Sequence, residues 1–165
     1  MKNKIIASSI ECLQTYGLKF SVDLLAEKMQ ISKKTIYKHF SSKEELSLEI
    51  FKSFYTQLKN DIEKVMGEMV AYEDKIEKLL LLYFESTKMH NDELFNKYNL
   101  NENLKKFSEK QHNMVWKKLS SFLFYRKKRE EIEIAKIIID GSIKEAIKNG
   151  EDSSALEKNL KEMMW

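Results

Sequence analysis

Residues 21–46 of this 165-residue chain read SVDLLAEKMQISKKTIYKHFSSKEEL. Three of the four serines in this stretch, Ser21, Ser32 and Ser42, precede apolar residues that recur with helical spacing. Ser21 is a predicted N-cap, and Ser32 is the predicted N-cap of a short helix that follows it. Ser42 and Glu45 have the spacing of a capping box, which predicts a further helix from that point. The stretch therefore encodes three closely spaced helix starts.

The short helix after Ser32, predicted to run to about Phe40, has one apolar face and one polar face. Steps of 100° per residue put Ile36 and Phe40 on the side that faces the core. With the tight turn at residues 30–32 and a preceding helix, this is the plan of a helix-turn-helix. A solvated amphipathic helix is the alternative, since surface lysines are ordinary. The face that points away from the core offers groups that reach phosphates and base edges: Lys34, Thr35, Tyr37 and Lys38.

The charge of the chain is unevenly distributed. Residues 1–43 hold eight lysines and three acids, a net charge of +5, although the whole chain carries only +3. The other residues hold 21 bases and 23 acids, a net charge of −2. A basic head on a mildly acidic body favours a polyanionic partner for the head, and a chance excess of surface lysine is the alternative.

The composition indicates an all-α protein. The chain has no proline and only four glycines, whereas sandwiches and barrels need frequent turn residues. Helical periodicity continues after the head through a long connecting helix from Ser42, for which a short coiled-coil seam is the alternative reading. The pattern predicts about nine helices, including a short piece at 92–98, a helix at 130–149 and a last helix at 154–165. The expected domains are a head at 1–45 and a helical body at 46–165.

The quoted stretch resembles the DNA-binding segment of TetR-family transcriptional regulators. The Ser-Lys-Lys-Thr-Ile-Tyr-Lys-His-Phe core followed by Ser-Lys-Glu-Glu-Leu carries the resemblance, which covers about residues 5–50. It implies a homodimer with a three-helix DNA-binding head and a helical regulatory and dimerisation body. It also implies that Lys33, Lys34 and Thr35 face bases and phosphates, that Tyr37 and His39 contact the DNA backbone, and that Lys43 meets a phosphate at a helix N-terminus.

The sequence departs from the family pattern at the turn. The family commonly has Ala-Gly where this chain has Met29-Gln30. A non-glycine residue there is expected to need a left-handed conformation, at a cost of about 1 kcal/mol. Many members have glycine at the position of Lys34, so base preference does not transfer. The body is also short for the family.

Two further sets of residues are candidates for regulation and assembly. Aromatic and methionine side chains suit an adaptable apolar pocket, although their spacing equally fits an ordinary core. Helix 130–149 is apolar on more than one face and carries small residues, which favours a symmetric dimer over burial of both faces within one subunit. The pocket candidates are Tyr83, Phe84, Tyr98, Phe107, Met114 and Phe122. The interface candidates are Ile134, Ile138, Gly141, Ser142, Ala146, Leu156, Leu160 and Met163.

Together these features predict a transcriptional repressor that binds a palindromic operator in double-stranded DNA as a homodimer. We expect a small apolar or aromatic effector to release it. The alternative is a helical adaptor of the same fold that binds a protein partner. No carboxylate pair, nucleophile–base spacing or glycine-rich loop indicates an enzyme, and His90 and His112 lack metal-ligand spacing, so neither metal nor cofactor is expected. The single Cys12 fits a reducing, cytoplasmic setting. No apolar run is long enough to span a bilayer, so we expect no membrane partner.

Overall fold

The computed structural model describes residues 1–16, 20–90, 102–149 and 158, and over these residues the chain is helical without strands. None of the helices in this described part is long and apolar enough to cross a membrane. The sequence predicted about nine helices, of which the pieces at 92–98 and 154–165 lie outside the described residues. The seven described helices are α1 (Lys2–Tyr16), α2 (Val22–Lys28), α3 (Lys33–Tyr37), α4 (Lys43–Gly67), α5 (Tyr72–Met89), α6 (Glu102–Leu123) and α7 (Arg129–Asn149).

The predicted serine caps of the head are confirmed. The Leu24 N–H donates to Ser21 Oγ at 3.1 Å, and the Thr35 N–H donates to Ser32 Oγ at 3.0 Å. Each hydroxyl thereby satisfies one of the backbone donors left unpaired at a helix start. The caps fix where α2 and α3 begin and therefore set the length of the turn between them.

The third helix is shorter than predicted. It ends at Tyr37, because the His39 N–H bonds to the Ile36 carbonyl three residues back at 2.9 Å and tightens the chain into a turn. The tightened chain still returns Phe40 to the core. Ile36 and Phe40 are both almost completely buried, as the 100° pattern predicted.

The capping box before α4 differs in one bond from the predicted pattern. The Glu45 N–H donates to Ser42 Oγ at 3.1 Å, as expected. The Glu45 carboxylate does not return to the Ser42 N–H but accepts both the N–H and the hydroxyl of Ser41, each at 2.6 Å. These bonds hold the pKa of Glu45 below its usual value. Lys2 of α1 lies 3.6 Å from the same carboxylate, so the cap also joins α1 to the start of α4.

The body is a bundle in which α5 packs against α4, α6 and α7. Leu79, Leu80, Tyr83 and Phe84 are all buried, so α5 lies at the centre of the bundle. The 25 residues of α4 span about 37 Å and run from the head to the far end of the bundle. The head also contacts the body where Gln14 Nε2 donates to Glu85 Oε2 at 3.1 Å.

A polar cluster lies inside this bundle. The Tyr83 hydroxyl donates to Asp140 Oδ1 at 2.5 Å, and Lys136 Nζ lies 2.5 Å from Asp140 Oδ2. The ring of His112 stacks on Tyr83 at 4.9 Å, and its Nδ1 lies 2.9 Å from the Ser86 hydroxyl. The cluster joins α5, α6 and α7 through polar groups. Their hydrogen bonds to one another offset the free-energy cost of removing them from water.

Hydrogen bonds at both ring nitrogens hold His112 in place. Tyr83 has a single hydroxyl proton, which goes to Asp140, so its oxygen accepts from His112 Nε2–H at 3.2 Å. The Nδ1 atom of the same ring lies within hydrogen-bond distance of the Ser86 hydroxyl, which joins α6 to α5 a second time. Burial alone would raise the pKa of Asp140, but hydrogen bonds from His112, Lys136 and Tyr83 outweigh it and hold that pKa well below its usual value.

The turn between α2 and α3 is a Schellman motif. The Ile31 N–H bonds to the Ala26 carbonyl, and the Gln30 N–H bonds to the Glu27 carbonyl, both at 3.0 Å. Gln30 has φ of 54°, which confirms the left-handed conformation expected from the sequence. Among the described non-glycine residues, Gln30 alone has a positive φ. The turn therefore keeps the geometry that glycine usually supplies, with a side chain added.

Replacing Gln30 by glycine is expected to stabilise the protein by about 1 kcal/mol, because glycine adopts positive φ without a Cβ clash. Chemical denaturation measures the change in the free energy of unfolding. The control is Gln57→Gly within α4, which should destabilise by about 1 kcal/mol. A Gln30→Gly variant destabilised as much as the control would contradict the strain at this turn.

Replacing Asp140 by Asn should lower the free energy of unfolding at pH 7 by about 1–3 kcal/mol, because the cluster loses a charged acceptor. The folded-state pKa of Asp140 is depressed, so the charge stabilises fully above the ordinary value of 3.8 and progressively less as pH falls below it. The difference in the free energy of unfolding between wild type and variant should therefore become smaller at acidic pH. Denaturant titrations at several pH values test this, with exposed Asp74→Asn as the control. A difference that stays constant with pH would contradict it.

Candidate nucleic-acid interface

The exposed side of α3 is the candidate interface. The Ile36 side chain of α3 is buried in the core. The exposed side chains around it are Lys34, Tyr37, Lys38 and His39. Thr35 is half-buried, and its hydroxyl lies 2.9 Å from the Ser32 hydroxyl. Lys34 and Lys38 have no ion-pair partner within the described ranges, so both ammonium groups are available to an anion. The arrangement suits contact with phosphates and base edges.

One predicted contact residue has a partner that the sequence analysis missed. Lys33 Nζ pairs with Asp23 Oδ1 at 2.8 Å, and the hydrogen bond raises the pKa of Lys33. Both side chains are more than half exposed, so a DNA phosphate would compete with a screened and weak ion pair. The two residues are ten positions apart on different helices. Periodicity within one helix carries no signal for such a contact.

Lys43 begins α4 and lies beside the head. It is exposed, and it lines a cleft of about 260 Å³ together with Ser21 and Asp23 of the α2 start. The α4 N-terminus also carries Glu44, whose pKa is lowered by its bond to the helix backbone and by Ser42. An anion at this helix end therefore meets the carboxylates of Glu44 and Glu45, and Lys43 is the attractive group.

The predicted pocket residues that the structure describes have different surroundings. Tyr83 and Phe84 are buried in the core, and Phe107 packs edge-on against Tyr55 with ring centroids 6.0 Å apart. Phe122 lies fifteen positions from Phe107 on α6, about 22 Å along the helix. Met114 and Tyr98 complete the predicted set. The Met114 side chain is 45% exposed and does not face the core, and Tyr98 lies outside the described residues.

The predicted interface residues of α7 divide between two faces. Ile134 and Ile138 are exposed, and Ile137 between them is 72% exposed. A Cβ added at Gly141 would meet open space. These four positions follow the i, i+3, i+4, i+7 spacing of one apolar stripe. Ser142 is half-buried, and Ala146 is buried within the subunit rather than available to a partner. The remaining candidates, Leu156, Leu160 and Met163, lie outside the described residues.

One sequence comparison matches the head, and a second matches about half of the chain. Residues 5–50 match the family model described as bacterial regulatory proteins, tetR family. An uncharacterized HTH-type transcriptional regulator, YhgD, of Bacillus subtilis (strain 168) is 28% identical over 90 residues. That alignment covers 54% of this chain and 47% of the relative, so the chain spans about half the length of the curated relative it matches.

Solved structures share the fold along nearly the whole chain. The fatty acid degradation regulator FadR of Bacillus halodurans superposes with a TM-score of 0.57 at 20% identity, covering 99% of this chain and 93% of its own. A transcriptional regulator (TerR/AcrR family) of Aquifex aeolicus VF5 also has a TM-score of 0.57, at 23% identity, covering 99% and 94%. FadR of Bacillus subtilis in complex with stearoyl-CoA has a TM-score of 0.55 at 18% identity, covering 99% and 97%.

The capped helix-turn-helix, its exposed basic face and the match at residues 5–50 agree with one another. Residues 5–50 of the chain are therefore similar to the DNA-binding segment of the tetR family of bacterial regulatory proteins.

Proposed function

We propose that this protein represses transcription by binding a palindromic DNA operator as a homodimer through α3. The observation that carries the proposal is the exposed face of α3, where Lys34, Tyr37 and Lys38 surround the buried anchor Ile36. Residues 1–45 would form the DNA-binding domain, and residues 46–165 would form the regulatory and dimerisation domain. The proposal assigns Lys33, Thr35, His39 and Lys43 to the same DNA contact surface.

Two heads are needed because one five-residue helix reads few bases. In a symmetric dimer the α3 helices would enter successive major grooves, about 34–36 Å apart. The exposed stripe of Ile134, Ile137 and Ile138 supports such a dimer, because a row of apolar side chains on one helix face is stabilised when a second copy covers it.

Release by a small effector completes the proposed mechanism. An apolar or aromatic ligand that binds better when the heads are spread apart would shift the population away from the DNA-bound form. Stearoyl-CoA is a reasonable first probe, since one protein of this fold is described in complex with it. The probe should lower operator affinity if the body binds such ligands.

A second candidate is an adaptor of the same fold that binds a protein partner in place of a small effector. The scatter of the pocket candidates along the bundle favours it, because Phe107 and Phe122 are too far apart to line one small site. Mass measurement of complexes isolated from the native cell discriminates between the two. A stoichiometric protein partner together with unchanged operator affinity in a ligand screen would favour the adaptor.

Replacing Tyr37 and Lys43 by alanine, or Lys34 and Lys38 by glutamine, should weaken operator binding at least about tenfold. Each lost phosphate contact should also lower the slope of log affinity against log salt by about 0.9. Fluorescence anisotropy with a palindrome from the protein's own promoter measures both effects. The control Lys110→Gln/Lys117→Gln removes the same charge from exposed positions of α6 and should leave binding unchanged. Salt-insensitive binding, or equal affinity in all variants, would count against the proposal.

Replacing Ile134 and Ile138 by glutamate should convert the dimer to a monomer, because two carboxylates would be buried without partners at the interface. Light scattering coupled to size-exclusion chromatography measures the mass. The matched control is Met69→Glu/Val70→Glu, which adds the same charge at exposed positions of the loop between α4 and α5. A variant that keeps the wild-type mass would place the interface elsewhere.

A further inference from the structure

Two loops meet at the end of the bundle farthest from the head. One is the α4–α5 connection at 68–71, and the other is the α6–α7 turn at 124–128. The Tyr72 hydroxyl donates to the Phe122 carbonyl at 2.6 Å, and the Tyr72 and Tyr125 rings lie 6.1 Å apart. The Arg126 guanidinium stacks on the same Tyr72 ring at 4.4 Å. These contacts hold the loops together as one surface, the distal tip, which comprises Met69, Val70, Phe124, Tyr125, Lys127 and Lys128.

The apolar side chains of the distal tip protrude into solvent. Met69 is 103% exposed and Tyr125 is 83% exposed, so neither is flanked by a pocket or groove of its own chain. Phe124 and Val70 are also exposed. Side chains that protrude this far gain little from a rigid, flat partner. They gain most from a medium that deforms around them, such as the interfacial region of a lipid bilayer.

The cations of the distal tip are only partly neutralised. Arg126 pairs with Glu73, and Glu68 pairs with Lys78, so those charges are locally balanced. Glu131 accepts the Lys128 backbone N–H at 2.9 Å. Within the described ranges, the ammonium groups of Lys127 and Lys128 have no ion-pair partner. The tip therefore adds two available cations to a set of protruding apolar groups.

We propose that the distal tip docks on an anionic lipid surface. Lysines attract the anionic headgroups, while Met69, Phe124 and Tyr125 enter the interface. DNA phosphates would satisfy the lysines but leave the apolar side chains in water, which makes DNA the poorer occupant. The absence of a membrane-spanning run predicted no membrane partner, but attachment at the surface needs only loop side chains and cations. With α4 about 37 Å long, the head remains far from the docked tip.

The test is co-sedimentation of the full chain with vesicles of equal parts phosphatidylcholine and phosphatidylglycerol, compared with phosphatidylcholine alone. Wild type should bind the anionic vesicles and should bind the neutral ones far more weakly. Lys127→Gln/Lys128→Gln should lower the partition coefficient about 30-fold, and added salt should have a similar effect. Met69→Ser/Tyr125→Ser should lower it about tenfold, at unchanged helicity and unchanged operator affinity.

The basic head requires its own control. Lys34→Gln/Lys38→Gln removes the same charge as the lysine variant of the tip and should leave vesicle binding intact. Failure of wild type to bind anionic vesicles overturns the proposal. The proposal is also overturned if vesicle binding is lost in the head variant and kept in the tip variants. Two other outcomes also overturn the proposal. One is a tip variant that changes the mass of the dimer, and the other is a tip variant that loses a stoichiometric protein partner while its vesicle binding is unchanged. Either outcome would mean that the tip contacts protein and not lipid. Operator affinity is measured separately, so the proposed repressor function stands or fails independently.

Discussion

Burial of Ile36 and Phe40 beneath α3 is the constraint on which the head depends. Both side chains are almost completely removed from water, and α3 has only five residues with which to hold its orientation. Turning so short a helix about its axis would expose Ile36 and bury a lysine, at a cost of several kcal/mol by transfer energies. The buried pair therefore decides that Lys34 and Lys38 face outward. Lys2 adds a second restraint, with its ammonium 5.1 Å from the Phe40 ring centroid and 3.6 Å from Glu45.

The body is held together by a different kind of contact. Asp140 is bound by Tyr83 and Lys136, and the stacked ring of His112 joins α6 to the same group. Directional bonds among three helices favour one relative placement more strongly than apolar packing does, because each group loses a partner if a helix slides. The same helix that carries Asp140 exposes Ile134, Ile137 and Ile138 on another face. The placement of the proposed dimer surface is thus tied to the polar cluster behind it.

Much of the head could be predicted from its sequence because the determining contacts are local. A serine hydroxyl caps an N–H three residues ahead, so Ser21, Ser32 and Ser42 could be identified from spacing. The positive φ at Gln30 was also expected, because the family that the segment resembles commonly has glycine at that position. The end of α3 was placed three residues too late, because a helical pattern continues in sequence after the backbone has tightened into a turn. The ion pair of Lys33 with Asp23 was missed for the opposite reason, since its partners belong to different helices.

In the body the sequence determined helices and apolar faces, and tertiary structure decided how each face is used. Tyr83, Phe107 and Phe122 have the same aromatic character and the same helical spacing, yet one joins a buried polar cluster and the other two pack far apart. Ala146 and Gly141 are both small residues on α7, but one is buried within the subunit and the other faces open space. Likewise, the distal tip exists only because two loops separated by more than fifty residues meet around Tyr72. Helical periodicity and helix capping depend on neighbours along the chain. The burial, ion pairing and exposure of a side chain depend on which other helices pack against it.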